Sequence, residues 1–276
     1  MDPRKSKAEA FRALHHGPKA LVLPNAWDAA SARIFEIAGF PALATTSAGI
    51  AFSLGYPDGQ RITRQEMLSV VARITSKVAV PVTADMEAAY GETAEAAELT
   101  AAGVIEAGAV GLNLEDAKDD PAHPLVDLSL QIEKIRAIRG AGDAIGVPLV
   151  LNARTDVYLK AVGPVEKRYD EALRRAVAFR DAGADCIFIP GVKDPDTISR
   201  FVRDLQYPIN ILAVPGSPSV PELQKLGVAR VTVGSGPMRA TMGLVRSIAD
   251  ELRTSGTYHT MESAIPHAEM NRLMEG

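Results

Sequence analysis

The sequence is poor in cysteine, in aromatic residues and in long apolar runs. Its single cysteine, Cys186, excludes an internal disulfide and a zinc site built from cysteines. Aromatic residues make up only 5% of the chain, so alanine and aliphatic side chains must fill the core. No run approaches the ~18 apolar residues of a membrane span, and the charged N-terminal segment lacks the apolar core of a signal peptide. We therefore expect a soluble cytoplasmic protein that contacts no membrane.

An excess of charge of one sign is also missing. The net charge is −4, and acidic and basic residues are mixed along the chain. Binding of nucleic acid would require a concentrated basic face, which this pattern does not provide. A small molecule is the expected partner.

Apolar runs rich in β-forming residues alternate with helical segments eight times along the chain. The predicted strands cover residues 20–24, 42–46, 80–84, 110–114, 148–153, 186–189, 209–213 and 230–233. Glycine follows a predicted helix and precedes a strand at Gly39, Gly108, Gly183 and Gly227, as a left-handed helix end requires. Eight units predict an α/β fold of the (β/α)8 TIM-barrel type, formed by residues 1–276 as a single domain. An open doubly wound sheet is the alternative, but no Gly-x-Gly-x-x-Gly follows the first strand.

Two segments lie outside the eight units. Residues 3–15 predict an N-terminal amphipathic helix. Residues 257–276 carry apolar side chains at helical spacing beyond the last unit. We predict that this C-terminal helical extension packs on a neighbouring subunit.

The third predicted strand ends in two acids, Asp85 and Glu87. If the strand continues to Glu87, both carboxylates leave it on the same face, because side chains two positions apart in a strand point the same way. Buried like charges are unfavourable unless a cation or a shared proton relieves them. The pattern therefore indicates a divalent metal. The alternative is that both acids cap the helix that begins near Thr93.

Active sites of (β/α)8 barrels lie at the carboxyl ends of the strands. Asp85, Glu87 and Glu115 end two adjacent strands and supply the oxygen ligands that Mg2+ or Mn2+ prefers. Few histidines and no cysteine lie near them, which argues against zinc.

Further polar residues follow other strands. Arg154 ends the next strand and could grip a carboxylate or phosphate opposite a metal, or instead be tied to Asp156 or Glu115. Thr45, Thr46 and Ser47 offer donors to an anion, or form an ordinary turn.

Three other residues remain ambiguous or without a role. Asp58 is either an acid that supports the site or a turn residue. His123 lies alone in a loop, and Cys186 lies inside an apolar strand, so we assign neither a catalytic role.

Taken together, these strand ends resemble those of the isocitrate lyase/phosphoenolpyruvate (PEP) mutase superfamily along nearly the whole chain. The segments that carry the resemblance are Asn25 to Ala32, Thr45 to Ala51 with Gly55 to Asp58, Asp85 to Glu87 with Tyr90 and Gly91, Asn113 to Asp116, and Asn152 to Asp156. The resemblance implies Mg2+ held by Asp85, Glu87 and Glu115, and a 2-oxo acid held by Thr45, Thr46, Ser47, Ala48, Asp85, Arg154 and Asn210. It also implies a dimer or tetramer that exchanges a C-terminal helix.

The loop after Glu115 departs from the superfamily pattern. The lyases carry a Lys-Lys/Arg-Cys-Gly-His segment there, whereas residues 117–124 read Ala-Lys-Asp-Asp-Pro-Ala-His-Pro. We therefore expect a Mg2+-dependent lyase that acts on a small 2-oxo carboxylate, by decarboxylation or C–C cleavage through an enolate-like intermediate, with Arg154 and Asp58 as catalytic residues. The alternatives are P–C bond chemistry, as in a phosphonopyruvate hydrolase or mutase, and a 2-oxo acid binding protein with little turnover.

Overall fold

The computed structural model describes residues 2–275, which form one parallel sheet surrounded by helices. The strands are β1 Leu21–Leu23, β2 Asn25–Ala26, β3 Leu43–Thr45, β4 Val82–Asp85, β5 Gly111–Glu115, β6 Val150–Arg154, β7 Cys186–Phe188, β8 Ile209–Leu212 and β9 Arg230–Thr232. The first seven helices are α1 Pro3–Leu14, α2 Ala29–Ile37, α3 Ser47–Ser53, α4 Arg64–Thr75, α5 Ala94–Glu106, α6 Leu128–Ile145 and α7 Val165–Asp181. The remaining helices are α8 Pro195–Leu205, α9 Val220–Lys225, α10 Gly236–Thr254, a short 3-10 helix His259–Met261 and α11 His267–Met274.

The sheet closes on itself through an interrupted first strand. The predicted strand 20–24 contains β1, which pairs with β9, and β2, which pairs with β3, begins just beyond its predicted end. Pro24 lies between the two parts and has no N–H for a ladder hydrogen bond. Every other neighbouring pair is parallel and sequential, so the eight units form the predicted α/β TIM-type barrel.

Helix ends follow the local sequence signals. Asp28 caps α2 and Thr63 caps α4, each within a reciprocal capping box. The four glycines predicted to end helices all have positive φ, from +84° at Gly108 to +112° at Gly183. These turns return the chain to the sheet and set where each strand begins.

Three elements differ from the prediction. Helix α3 was not predicted, because its seven residues are too few to show a period; Thr46 caps it. Strand β4 ends at Asp85, and Glu87 has a left-handed φ of +50°, so the two acids are not neighbours on one strand face. Helix α6 extends to Ile145, beyond the end near Arg139 that the sequence predicts, and stops at Gly146, whose φ is +78°.

The C-terminal helices lie outside the barrel wall. Helix α10 buries only Met238 and exposes Met242, Leu244, Val245 and Leu252. Helix α11 rests on α2, where Arg33 Nε donates to the Leu273 carbonyl at 3.1 Å. Within residues 2–275, no helix combines the length and the apolar composition needed to cross a membrane.

Candidate active site

A cavity of about 210 Å3 opens at the carboxyl ends of the strands. One part of its lining is acidic, formed by Asp58, Glu87 and Glu115, and another carries the amines of Lys118 and Lys160. This is the end of the barrel at which the strand-end analysis placed the site.

Asp85 ends β4 and is held by donors from β3 and α3. Its Oδ2 accepts the Ser47 N–H at 3.0 Å and the Ser47 hydroxyl at 2.8 Å, while its own N–H donates to Thr45 Oγ1 at 2.8 Å. Asp85 is 9% exposed. Its Oδ1 has only one long contact, from Asn113 Nδ2 at 3.4 Å. Because Oδ2 is occupied, Oδ1 is the oxygen left to bind a ligand.

Asn113 links Asp85 to the barrel interior. Its Oδ1 accepts from Asn152 Nδ2 at 2.8 Å and from Arg230 Nη2 at 3.3 Å. These donors orient the amide so that its NH2 group faces Asp85. Arg230 is fully buried, and burial lowers its pKa to about 10. The guanidinium of Arg230, inside the barrel, thus helps to orient Asp85 at the rim through the side-chain amide of Asn113.

Glu87 lies in the loop after β4 and is 3% exposed. Its carboxylate accepts the Gln60 N–H at 2.6 Å and the Tyr90 hydroxyl at 3.0 Å. Burial and the nearby charge of Asp85 raise the pKa of Glu87 to about 7 despite these two donors. The carboxyl is therefore poised between protonation states near neutral pH.

Two further acids in the cavity have raised pKa values. The loop position of Asp58 is exposed, but burial of its carboxyl and the charge of Asp85 raise its pKa. Burial raises the pKa of Glu115 well above its ordinary value, even though Arg154 opposes the shift. With every side chain ionised, four acids that include Asp119 face three cations, Arg61, Lys118 and Lys160, so the lining carries one negative charge in excess.

Arg154 is tied to two carboxylates. Nη1 lies 2.7 Å from Glu115 Oε2, Nε lies 2.7 Å from Asp156 Oδ1, and Nη2 donates to Asp156 Oδ2 at 2.9 Å. Burial lowers the pKa of the guanidinium, but these two charges outweigh it and raise the pKa. This arrangement, in which Arg154 is tied to Asp156 or Glu115, was the alternative to substrate binding in the sequence analysis. One N–H on each terminal nitrogen remains for a substrate.

Asp116 points away from the cavity. Its Oδ1 accepts the Asp156 N–H at 2.8 Å and its Oδ2 accepts from Arg175 Nη1 at 3.1 Å. It is fully buried, and burial raises its pKa to about 6. Asp116 joins the ends of β5 and β6 and thereby sets where Glu115 and Arg154 lie.

The predicted substrate-binding residues divide into two groups. Thr45, Thr46 and Ser47 are buried beside Asp85, and Ala48 follows in the first turn of α3. Asn210 lies deeper in the barrel, where its Oδ1 accepts from Thr232 at 3.3 Å, and it is not among the described residues that line the cavity.

Sequence reasoning missed Gln60 and Lys160, and it used Tyr90 for the family resemblance without assigning it a role at the site. Lys160 lines the cavity from the loop after β6, where nothing in the local sequence distinguishes it from a surface lysine. His123 and Cys186 are as expected: His123 is exposed beside Asp120, and Cys186 is buried in β7.

The carboxylate oxygens of the site are suited to bind a hard cation such as Mg2+. Within residues 2–275, no three His, Cys, Asp or Glu side chains are arranged to hold a metal ion directly. Mg2+ is commonly held by one or two carboxylates, with water and substrate oxygens completing its shell. Asp85 Oδ1, whose one contact is the 3.4 Å hydrogen bond from Asn113, and the neighbouring carboxylates Glu87 and Glu115 meet that requirement.

Comparison with known proteins identifies the family. The sequence model for phosphoenolpyruvate phosphomutase matches residues 11–253. The chain belongs to this family. It is 31% identical to 2-methylisocitrate lyase of Salmonella typhimurium over 261 residues, which are 91% of this chain and 86% of the lyase.

Solved structures agree with this assignment. Oxaloacetate acetylhydrolase in complex with oxalate superposes with a TM-score of 0.87 at 26% identity and covers 98% of this chain and 94% of that one. A phosphonopyruvate hydrolase complex with oxalate and Mg2+ superposes with a TM-score of 0.85, also at 26% identity, and covers 98% and 95% of the two chains. This member of the PEP mutase family is therefore an enzyme of the superfamily that the strand-end motifs indicated.

Proposed function

We propose that the protein is a Mg2+-dependent lyase that acts on a small 2-oxo carboxylate, by decarboxylation or by C–C cleavage through an enolate-like intermediate. The observation that carries the proposal is that Glu87 and Glu115, both with raised pKa values, line one cavity, and that Asp85 and Arg154 lie beside them: the charge of Asp85 helps to raise the pKa of Glu87, and Arg154 Nη1 lies 2.7 Å from Glu115 Oε2. Such an excess of buried negative charge favours a divalent cation. 2-Methylisocitrate lyase and oxaloacetate acetylhydrolase, both similar to this chain, have names that describe chemistry of this class.

Asp85 would hold the metal through Oδ1, while Glu87 and Glu115 would contact it directly or through water. When bound, Mg2+ polarises a carbonyl and stabilises the negative charge that develops on its oxygen. Ser47 keeps Asp85 in place through its two hydrogen bonds. Asn113, held by Arg230, contacts Asp85 Oδ1 and so helps to orient the carboxylate.

Arg154 would bind the substrate carboxylate with the N–H groups that its two ion pairs leave free. Those ion pairs hold the guanidinium rigidly, so little conformational entropy is lost when the substrate binds. Both donors of Ser47 are bonded to Asp85 and the Thr46 N–H is bonded to the Ala26 carbonyl, so the Thr46 hydroxyl and the Ala48 N–H would hold the rest of the anion.

The loop after β5 holds no thiol. A bridge between Ala117 and Leu125, together with the bond from the Lys118 N–H to the Pro124 carbonyl at 2.9 Å, keeps it short. The chain's only cysteine is buried in β7. We propose that Asp58, Glu87 or Lys118 moves the proton instead, and that decarboxylation, which needs no acid at the bond-breaking step, suits this loop.

The test is a panel of 2-oxo acids and their 3-hydroxy acid precursors assayed with and without Mg2+. Turnover that disappears in Asp85→Ala and persists in the surface variant Glu98→Gln would support the proposal. Tight Mg2+-dependent binding of oxaloacetate by calorimetry without product would instead indicate a binding protein and refute catalysis.

P–C bond chemistry is the second candidate, because the phosphomutase model spans residues 11–253 and a phosphonopyruvate hydrolase shares the fold. The amines of Lys118 and Lys160 at the cavity suit a phosphonate as well as a second carboxylate. Release of phosphate from phosphonopyruvate, faster than any decarboxylation, would favour this candidate.

We also propose a homo-oligomer, a dimer or tetramer, in which C-terminal helices are exchanged. The apolar residues exposed along α10 support this proposal. A large exposed apolar surface marks a protein–protein interface, and another subunit could cover it. Sedimentation of Val245→Glu against Arg246→Glu tests it: only the first should dissociate the assembly.

A further inference from the structure

The loop between β4 and α5, which carries Glu87, has an uncommon backbone. Glu87, Ala89 and Tyr90 have φ values of +50°, +72° and +53°. None of the three is glycine, and residues with a Cβ rarely adopt this region. The loop therefore needs support from outside itself to keep this shape.

Lys134 of α6 provides part of that support. Its Nζ donates to the carbonyls of Ala88 at 3.1 Å and Gly91 at 2.7 Å, on either side of the left-handed residues Ala89 and Tyr90. Lys134 is 1% exposed, and no ion pair to it is found among residues 2–275. A buried ammonium whose hydrogen bonds all go to carbonyls is energetically unfavourable, and burial lowers its pKa although the charge of Glu92 opposes the shift.

The two intervening carbonyls are also held by side chains. Thr100 Oγ1 donates to the Ala89 carbonyl at 2.7 Å, and Arg64 Nη2 donates to the Tyr90 carbonyl at 3.1 Å. Four consecutive carbonyls are thus fixed from three helices, and Lys134 holds the first and the last of them.

The loop in turn determines where the Glu87 carboxylate lies. The Glu87 carbonyl accepts the Glu115 N–H at 2.9 Å, which ties the loop to the end of β5. A change of φ at the loop residues would move the carboxylate relative to Glu115 and Asp85. The geometry of the acid cluster therefore depends on the carbonyl contacts.

We propose that Lys134 is a positioning residue of the active site. It holds the left-handed loop 87–91 so that Glu87 faces the cavity beside Asp85, an inference that rests on the proposed function for its catalytic meaning. Lys134 touches neither the reacting groups nor the metal ligands. It acts through the carbonyls of Ala88 and Gly91.

A second cavity makes the proposal testable by chemical rescue. It has a volume of about 400 Å3 and is lined by Lys134, Ala88, Gly91 and Gln60 among other residues. Truncation of Lys134 to alanine would extend this cavity towards the two carbonyls. A small alkylammonium ion could then enter and donate to them.

The experiment compares Lys134→Met, Lys134→Ala and the exposed control Lys167→Met. We expect Lys134→Met to weaken Mg2+ binding, measured by calorimetry, by roughly 10–100-fold, the range found when a residue that orients a metal ligand is lost. Turnover should fall with it, and hydrogen exchange of the amides at 87–92 should accelerate in metal-free protein. Propylammonium, but not 1-propanol, should restore Mg2+ affinity to Lys134→Ala.

A purely structural role predicts a different result. Lys134→Met would then lower the melting temperature but leave Mg2+ affinity and loop exchange unchanged below it, and this outcome would overturn the proposal. If Lys134→Met does not fold, Lys134→Arg, which keeps the charge but changes the two contacts, should show smaller shifts of the same kind. Mg2+ binding without turnover in the wild type would refute the proposed function alone, because loop exchange and metal affinity would still decide the role of Lys134.

Discussion

Replacing Glu87 by glutamine should stabilise the metal-free protein at high pH. The pKa of Glu87 rises from 4.5 to about 7 on folding, mainly through burial and then through Asp85. Between these values the folded state holds a proton that the unfolded state has released, so stability falls as pH increases. Above pH 7 both states are ionised, and the loss is complete at roughly 3 kcal/mol.

Glutamine removes this charge and can keep both contacts. Its carbonyl can accept the Gln60 N–H, and its NH2 can donate to the Tyr90 oxygen, which accepts as readily as it donates. We therefore expect Glu87→Gln to gain about 2–3 kcal/mol over wild type at pH 8, and under about 1 kcal/mol at pH 5.

Chemical denaturation in EDTA at pH 5 and pH 8, followed by circular dichroism, measures both differences. The exposed Glu98→Gln is the control and should change stability by less than about 0.5 kcal/mol at either pH. Saturating Mg2+ should reduce the difference in free energy of unfolding between Glu87→Gln and wild type at pH 8, because it stabilises the ionised wild type. An equal gain in stability at both pH values, or no gain at pH 8, would refute the explanation that burial of the Glu87 carboxylate destabilises the folded protein.

Other perturbations test the remaining parts of the site. Asp85→Asn should lower metal-dependent turnover by at least about 100-fold and abolish the Mg2+-induced rise in melting temperature; an unchanged rise in a melting scan would place the metal elsewhere. Arg154→Met should destabilise the fold by about 3–5 kcal/mol in urea titrations, because two buried carboxylates lose their partner, and a loss below 1 kcal/mol would contradict this. Lys160→Met should raise KM about 3- to 10-fold for a dianionic 2-oxo acid but leave that for pyruvate unchanged. Iodoacetamide should not inhibit turnover, because burial raises the pKa of the Cys186 thiol to about 12; inhibition together with labelling of Cys186 would show that it is accessible.

The sequence was sufficient to predict the barrel, because its signals are local and repeated. Each unit has a β-rich run followed by a helix, several helices carry a cap, and four were predicted to end at a glycine; Gly39 or Gly183 can be interpreted without knowledge of the rest of the chain. The strand-end rule then predicts the acidic cluster at one face. Helix α3 escaped prediction because seven residues do not establish a period.

The details of the site depended on contacts between distant segments. The bond from Gln60 to Glu87 joins residues 27 positions apart, and that from Arg230 to Asn113 joins residues 117 apart. Periodicity says nothing about such pairs. The left-handed φ of Glu87 could not be predicted either. An apolar run followed by Asp-Met-Glu is more simply interpreted as a strand that continues through Glu87.

The acids of the site differ in how far hydrogen-bond donors compensate their buried charge. This difference is the reason why we propose different roles for Asp85 and Glu87. Asp85 receives two donors from Ser47 and one from an amide fixed by Arg230, so its position is set before any ligand arrives. Glu87 is buried with donors too few to offset its desolvation. A cation placed at Asp85 would offset that penalty. The metal-free protein would then be less stable than its core allows, and binding of the proposed metal would return stability at the point where the proposed reaction needs positive charge.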